Sequence, residues 1–155
     1  MDFEKLLALL RELERHGVDY MVVGGIALTL HGIVRATEDI DLFVRAEATN
    51  VEKLKDALRA VWPDPEIDQI RVADLSGDYP TVRYVPPDGG PVVDILARLG
   101  TAFSFDDLES ETAKLEGITV RVATPETLYR MKKDTLRLID KADAEALRKK
   151  FGLES

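Results

Sequence analysis

Asp39 and Asp41 stand two residues apart in the apolar run "DIDLFV". In an extended strand that spacing sends both carboxylates to one face, while Ile40 between them points to the other. Adjacent carboxylates repel, and "TEDIDLFV" holds no lysine or arginine to offset them. A divalent cation removes the repulsion, and magnesium suits such oxygen ligands while keeping waters and phosphate oxygens in its shell. A solvated, polar sheet edge also accounts for the pair. Asp94 adds weight to the cation, because it stands alone among Val92, Val93, Ile95 and Leu96 in "PVVDILARL". A carboxylate in those surroundings is costly unless it is hydrogen-bonded, paired or bound to a cation. If its strand lies beside Asp39 and Asp41, three carboxylates share a face. Such a set could hold two metal ions, one activating a hydroxyl and one steadying a leaving pyrophosphate.

A second group of residues suits phosphate. Gly24 and Gly25 follow the apolar run "VDYMVV" and precede "IALTLH", and thirteen residues separate Gly25 from Asp39. A glycine turn between strand and helix exposes backbone N–H groups where phosphate is favoured. Tight turns need glycine for backbone reasons alone, so the pair gains meaning only beside the carboxylates. Lys132 lies four residues after Leu128 and four before Leu136, along an apolar stripe. Its ammonium either snorkels to solvent or points inward to an anion. Arg35 can reach a phosphate or pair with Glu38 or Asp39, and Thr37 can support the metal loop or brace a turn. His16 and His31 stand where helices end and fit the capping of carbonyls.

These residues need a frame. Asp2 is placed to cap a first helix carrying Phe3, Leu6, Leu7, Leu10 and Leu13, which Gly17 ends. "VDYMVV" and "DIDLFV" read as strands, with a short helix "IALTLH" between them that stops at Gly32. Asn50 can cap a helix through Val61 that halts at Pro63. After a Pro- and Asp-rich loop, "IRVAD", "TVRYV", "VVDILAR" and "ITVRVAT" read as strands, the middle two joined by the hairpin signal "PPDGG". Thr124 and Pro125 open a helix to about Ile139, and a last helix runs from near Asp140 to just before Gly152. The order predicts an α/β (α+β) fold: a mixed sheet of about five strands, helices packed on it, and a helical end at about 124–151.

Composition narrows the class. At 155 residues the chain reads as one domain over residues 1–155, large enough to bury a core. No apolar run approaches the length of a membrane span, and the acidic, amphipathic start does not read as a signal peptide. The absence of cysteine excludes disulfides and thiolate metal sites and is compatible with a cytoplasmic location. A net charge of −8 argues against coating nucleic acid by bulk electrostatics. The charge is uneven, however: residues 124–155 hold eight Lys or Arg against six Asp or Glu, a mildly basic tail on an acidic body.

The pattern Gly-Gly-x13-Asp-x-Asp on strand, helix and strand, with a later strand aspartate, resembles the nucleotidyltransferase superfamily that includes polymerase beta. The fuller runs "GGIALTLHGIVRATEDIDLF" and "VATPETLYRMKKDTLRLIDKADAEAL" are similar to its minimal bacterial branch, which includes the abortive-infection (AbiEii-type) nucleotidyltransferase toxins. The resemblance implies that Asp39 and Asp41 bind magnesium, two ions during turnover, with Asp94 as third ligand and as the group that orients or deprotonates the attacking hydroxyl. It implies that Gly24, Gly25, Arg35, Thr37 and Lys132 bind the nucleoside triphosphate. Many members carry Gly-Ser where this chain has Gly24-Gly25, so here the grip falls to backbone groups. The expected activity is magnesium-dependent transfer of a nucleoside monophosphate to an acceptor hydroxyl. RNA, as in the toxin-like relatives, suits the tail with Lys132, Lys133, Arg137 and Lys141; an antibiotic or other small molecule and a protein hydroxyl are the alternatives. A partner protein could complete so small a site. A non-catalytic nucleotide-binding or interaction module of the same fold is the competing reading.

Overall fold

The computed structural model describes residues 2–34, 37–76, 81–99, 103–132 and 138–153. Helix α1 (Phe3–Arg15) starts where the Asp2 carboxylate accepts the Lys5 N–H at 3.1 Å, and it buries Leu6, Leu9, Leu10 and Leu13. Strand β1 (Tyr20–Val23) is buried throughout and runs directly into α2 (Gly24–Leu30). Strand β2 (Asp39–Val44) and helix α3 (Ala48–Val61) follow. Then come the hairpin β3 (Thr81–Tyr84) and β4 (Val92–Leu96), a small ladder β5 (Arg98–Leu99) with β6 (Phe103–Ser104), and the hairpin β7 (Ser110–Leu115) with β8 (Ile118–Ala123). Helices α4 (Pro125–Lys132) and α5 (Leu138–Phe151) pack on each other.

The described residues form a mixed six-stranded sheet in the order β3-β4-β2-β1-β8-β7. Parallel pairs β2/β4 and β1/β8 alternate with antiparallel pairs β3/β4, β1/β2 and β7/β8. The expected α/β frame with a mixed sheet is present, with β7 as an extra edge strand. Its run "SETAKL" is mostly exposed and polar, which hides it from hydrophobic patterning. Ile40, Leu42 and Val44 are fully buried and join Leu9, Leu13, Leu54 and Leu58 in one core. That burial fixes the strand's other face, with Asp39 and Asp41 half-buried at its start.

Two local expectations are corrected. "IRVAD" is not a strand: Val72–Leu75 form a turn of 3-10 helix, because the Asp74 carboxylate accepts the Arg71 N–H at 3.0 Å and closes the chain on itself. Asn50 does not cap α3, whose N-cap is Glu47. It is buried in the first turn, accepting from Asp19 N–H at 2.7 Å and donating to the Asp19 and Arg45 carbonyls at 3.0 and 2.9 Å. Two of these bonds span 31 residues and tie α3 to the start of β1, which a local cap would not do.

The β3–β4 hairpin is held from behind. Trp62 is buried and donates its Nε1–H to the Asp88 carboxylate at 3.1 Å, and Tyr84 donates its hydroxyl to Asp64 at 2.8 Å. Gly89 takes φ +76 in the tight turn, where other residues are strained. The turn and its anchors set the register that carries Asp94.

Candidate active site

Strand register builds the site. Val23 at the end of β1 pairs with Asp41, and Asp41 pairs with Asp94 on the other side. Asp39, two residues earlier on β2, shares the face of Asp41. The three predicted carboxylates therefore come from neighbouring strands to one patch at one end of the sheet.

Gly24 closes this patch from the β1 side. It has φ +71, and a Cβ added to it would overlap Asp41 Oδ2. Gly25 is buried, and a Cβ there would stand 2.9 Å from Thr37 Cβ and 3.0 Å from its Oγ1. Thr37 in turn donates its hydroxyl to the Asp39 carbonyl at 3.1 Å. The glycine pair is thus required by close approach as well as by the turn: position 24 makes room for Asp41, and position 25 for the threonine that braces Asp39.

Arg83, not anticipated from the sequence, lies across the carboxylates. It pairs with Asp94 in the β3/β4 ladder, and its Nη1 stands 3.3 Å from each Asp94 oxygen. Its Nη2 reaches Asp39 Oδ2 at 3.5 Å. Burial pushes the Asp94 carboxyl above its ordinary range; Arg83 works against this, Asp39's charge adds to it, and a hydrogen bond with Asp41 opposes it. Arg83 was countable in principle. A hairpin centred on Asp88-Gly89 in "PPDGG" sets residue 83 against residue 94.

The donor types suit a hard divalent cation, since all three candidate ligands are carboxylates on one face of the sheet and the single guanidinium against Asp39 and Asp94 offsets only part of their charge. Among the described residues, no three His, Cys, Asp or Glu side chains are drawn close enough to chelate a metal as they stand.

The remaining predicted residues fall elsewhere. Arg35 lies outside the described residues, as do Lys133 and Arg137. Lys132, on α4, is turned inward to a protein carboxylate: its Nζ pairs with Asp143 Oδ2 of α5 at 3.2 Å, with only 13% and 9% of the two side chains exposed. Lys141 is exposed on α5. His31 ends α2 and donates from Nε2 to the Ala123 carbonyl at 2.8 Å, fastening α2 to the end of β8. His16 ends α1 and bonds the Glu12 carbonyl through Nδ1 at 2.9 Å.

A mixed sheet with this order, bearing carboxylates on adjacent strands beside a strand–glycine–helix turn, is the nucleotidyltransferase fold. The chain belongs to the nucleotidyl transferase AbiEii toxin family of type IV toxin–antitoxin systems, whose family model matches residues 5–148. No curated protein matches it by sequence. Among solved structures, it is similar to the lincosamide antibiotic adenylyltransferase LnuA bound to lincomycin, with 16% identity and a TM-score of 0.60 over 94% of this chain and 95% of that one. It is similar also to ANT(2")-Ia in complex with adenylyl-2"-tobramycin, with 12% identity and a TM-score of 0.58 over 97% of this chain and 90% of that one. A nucleotidyltransferase candidate from Thermotoga maritima gives 16% identity and a TM-score of 0.60 over 97% and 92%. At these identities the likeness establishes the fold. Among the described residues, no helix is long and apolar enough to cross a membrane.

Proposed function

We propose that the protein transfers a nucleoside monophosphate from a nucleoside triphosphate to an acceptor hydroxyl. The observation that carries this reading is the register of Asp41 against Asp94, on the face of Asp39 and against Gly24. Asp39, Asp41 and Asp94 would hold magnesium, which when bound supplies charge neutralisation for the attacking oxygen and the leaving pyrophosphate. Asp94 receives the hydroxyl proton, a role that its raised carboxyl pKa suits. A bond forms between the acceptor oxygen and the α-phosphorus, and the bond from that phosphorus to the β-phosphate breaks, releasing pyrophosphate. Backbone N–H groups at Gly24 and Gly25 would orient the triphosphate, with Thr37 against Gly25 and the Arg35 charge as a further phosphate contact. Lys132, read from the sequence as a direct phosphate contact, would reach the triphosphate only by leaving its pair with Asp143. Most of the rate then comes from positioning and preorganised charge.

RNA is the acceptor favoured by family membership and by the basic residues of the tail. A cationic small molecule is the second reading, supported by the net charge of −8 and by the antibiotic ligands of two proteins of this fold. The test incubates the protein with labelled nucleoside triphosphates and magnesium, offering total RNA in one arm and aminoglycosides and lincosamides in another. Transfer in either arm should fall at least about a hundredfold in Asp41→Asn. Label transfer that survives this substitution sinks the assignment, and nucleotide binding without transfer to any acceptor points to an interaction module instead. Toxin action, and a protein partner that restrains it, predicts growth arrest on expression that Asp41→Asn relieves.

A further inference from the structure

Arg83 belongs to β3, an edge strand of the sheet, and 56% of its side chain is exposed. From there its guanidinium reaches over β4 to β2, touching both oxygens of Asp94 and one of Asp39. The planar fork suits bridging carboxylates on neighbouring strands better than a point charge would. The guanidinium is the exposed end of this pair, Asp94 being only 15% exposed, so Arg83 can swing into solvent while the carboxylate stays in place. The oxygens it contacts are those a divalent cation needs, so its positive charge opposes a cation at the same place.

We infer that Arg83 is a positioning residue of the site, a resident counter-charge on Asp39 and Asp94 that a divalent cation displaces and that thereby sets the cation affinity. Until the cation arrives, Arg83 keeps Asp39 and Asp94 facing the same space despite their mutual repulsion. The inference rests on the cation site proposed above and adds a competitor to it. Removing the guanidinium improves cation binding, an outcome opposite to that of losing an ordinary supporting residue.

The test titrates the whole protein with Mn2+, reading free ion by electron paramagnetic resonance, with circular dichroism to verify folding. Parent, Arg83→Gln, Arg83→Thr, Arg83→Lys and Asp41→Asn are compared. The two neutral variants should bind Mn2+ about fivefold more tightly than the parent, as expected for losing one exposed like charge. Arg83→Lys, which keeps the charge, should bind close to the parent. Unchanged or weaker binding in both neutral variants, with binding still abolished by Asp41→Asn, overturns the role of Arg83 and leaves the cation site standing. Binding that persists in Asp41→Asn overturns the cation site and this inference together.

Discussion

Gly24 lies so close to Asp41 that any side chain at position 24 would collide with the carboxylate. Its φ of +71 adds a second demand for glycine. Gly24→Ala is therefore expected to cost about 1–3 kcal/mol of stability from the backbone alone. Relief of the collision must also move Asp41, so transfer activity should fall further than the loss of folded protein explains. Thermal unfolding and initial rates on the same preparation check both parts; an Ala variant with parental activity would contradict the close approach.

Gly25 and Thr37 form the second tight contact. A serine at position 25, common in the relatives that the sequence resembles, would place its Cβ 2.9 Å from Thr37 Cβ. Gly25→Ser alone should lower both stability and nucleotide affinity rather than supply a useful hydroxyl. Adding Thr37→Ala should recover part of the stability. The double-mutant cycle should give a coupling of about 0.5–3 kcal/mol, and simple additivity would remove the contact from the account.

Asp94 predicts a conflict between stability and chemistry. Burial raises its carboxyl above the ordinary value of 3.8. A raised folded-state value means that its stabilising contribution is full below the ordinary value and is lost as pH rises through the raised one. In metal-free protein at neutral pH, the ionised carboxylate is thus a net burden. Asp94→Asn, measured with chelator present, should unfold at or above the parental temperature at pH 7. The advantage should vanish once acid protonates the parent's Asp94, while transfer is lost throughout. A variant less stable than the parent at pH 7 would reverse the sign.

Lys132 and Asp143 are a largely buried pair joining α4 to α5. Removing one partner strands the other charge, so Asp143→Asn or Lys132→Met should each destabilise by about 3 kcal/mol. The double variant Lys132→Met with Asp143→Leu should be more stable than either single one. Chemical denaturation of the four proteins decides, and single variants as stable as the parent would mean that the pair does not hold α4 against α5.

Much of this was legible in the sequence because strand periodicity is short-range. Asp39 and Asp41 are two apart on a strand whose intervening residue is buried, so their shared face follows from spacing. Asp94 was visible as a lone carboxylate among aliphatic residues, but its place opposite Asp41 depended on a parallel pairing between strands far apart in the chain. Arg83 is not legible in "TVRYV", which also fits an ordinary polar edge strand; only the hairpin register turns it toward Asp94. The partner of Lys132 was hidden for a similar reason: Asp143 meets it only once α5 folds back on α4. Asn50 and "IRVAD" misled because local propensity was outweighed by long-range bonds in one case and by a side-chain cap in the other.

The most direct test is a structure of the protein with magnesium and a non-hydrolysable nucleoside triphosphate. Metal density is expected between Asp39, Asp41 and Asp94, with the triphosphate against Gly24 and Gly25 and the Arg83 guanidinium moved off the carboxylates. A triphosphate bound elsewhere, with Arg83 still bridging Asp39 and Asp94, would contradict this arrangement.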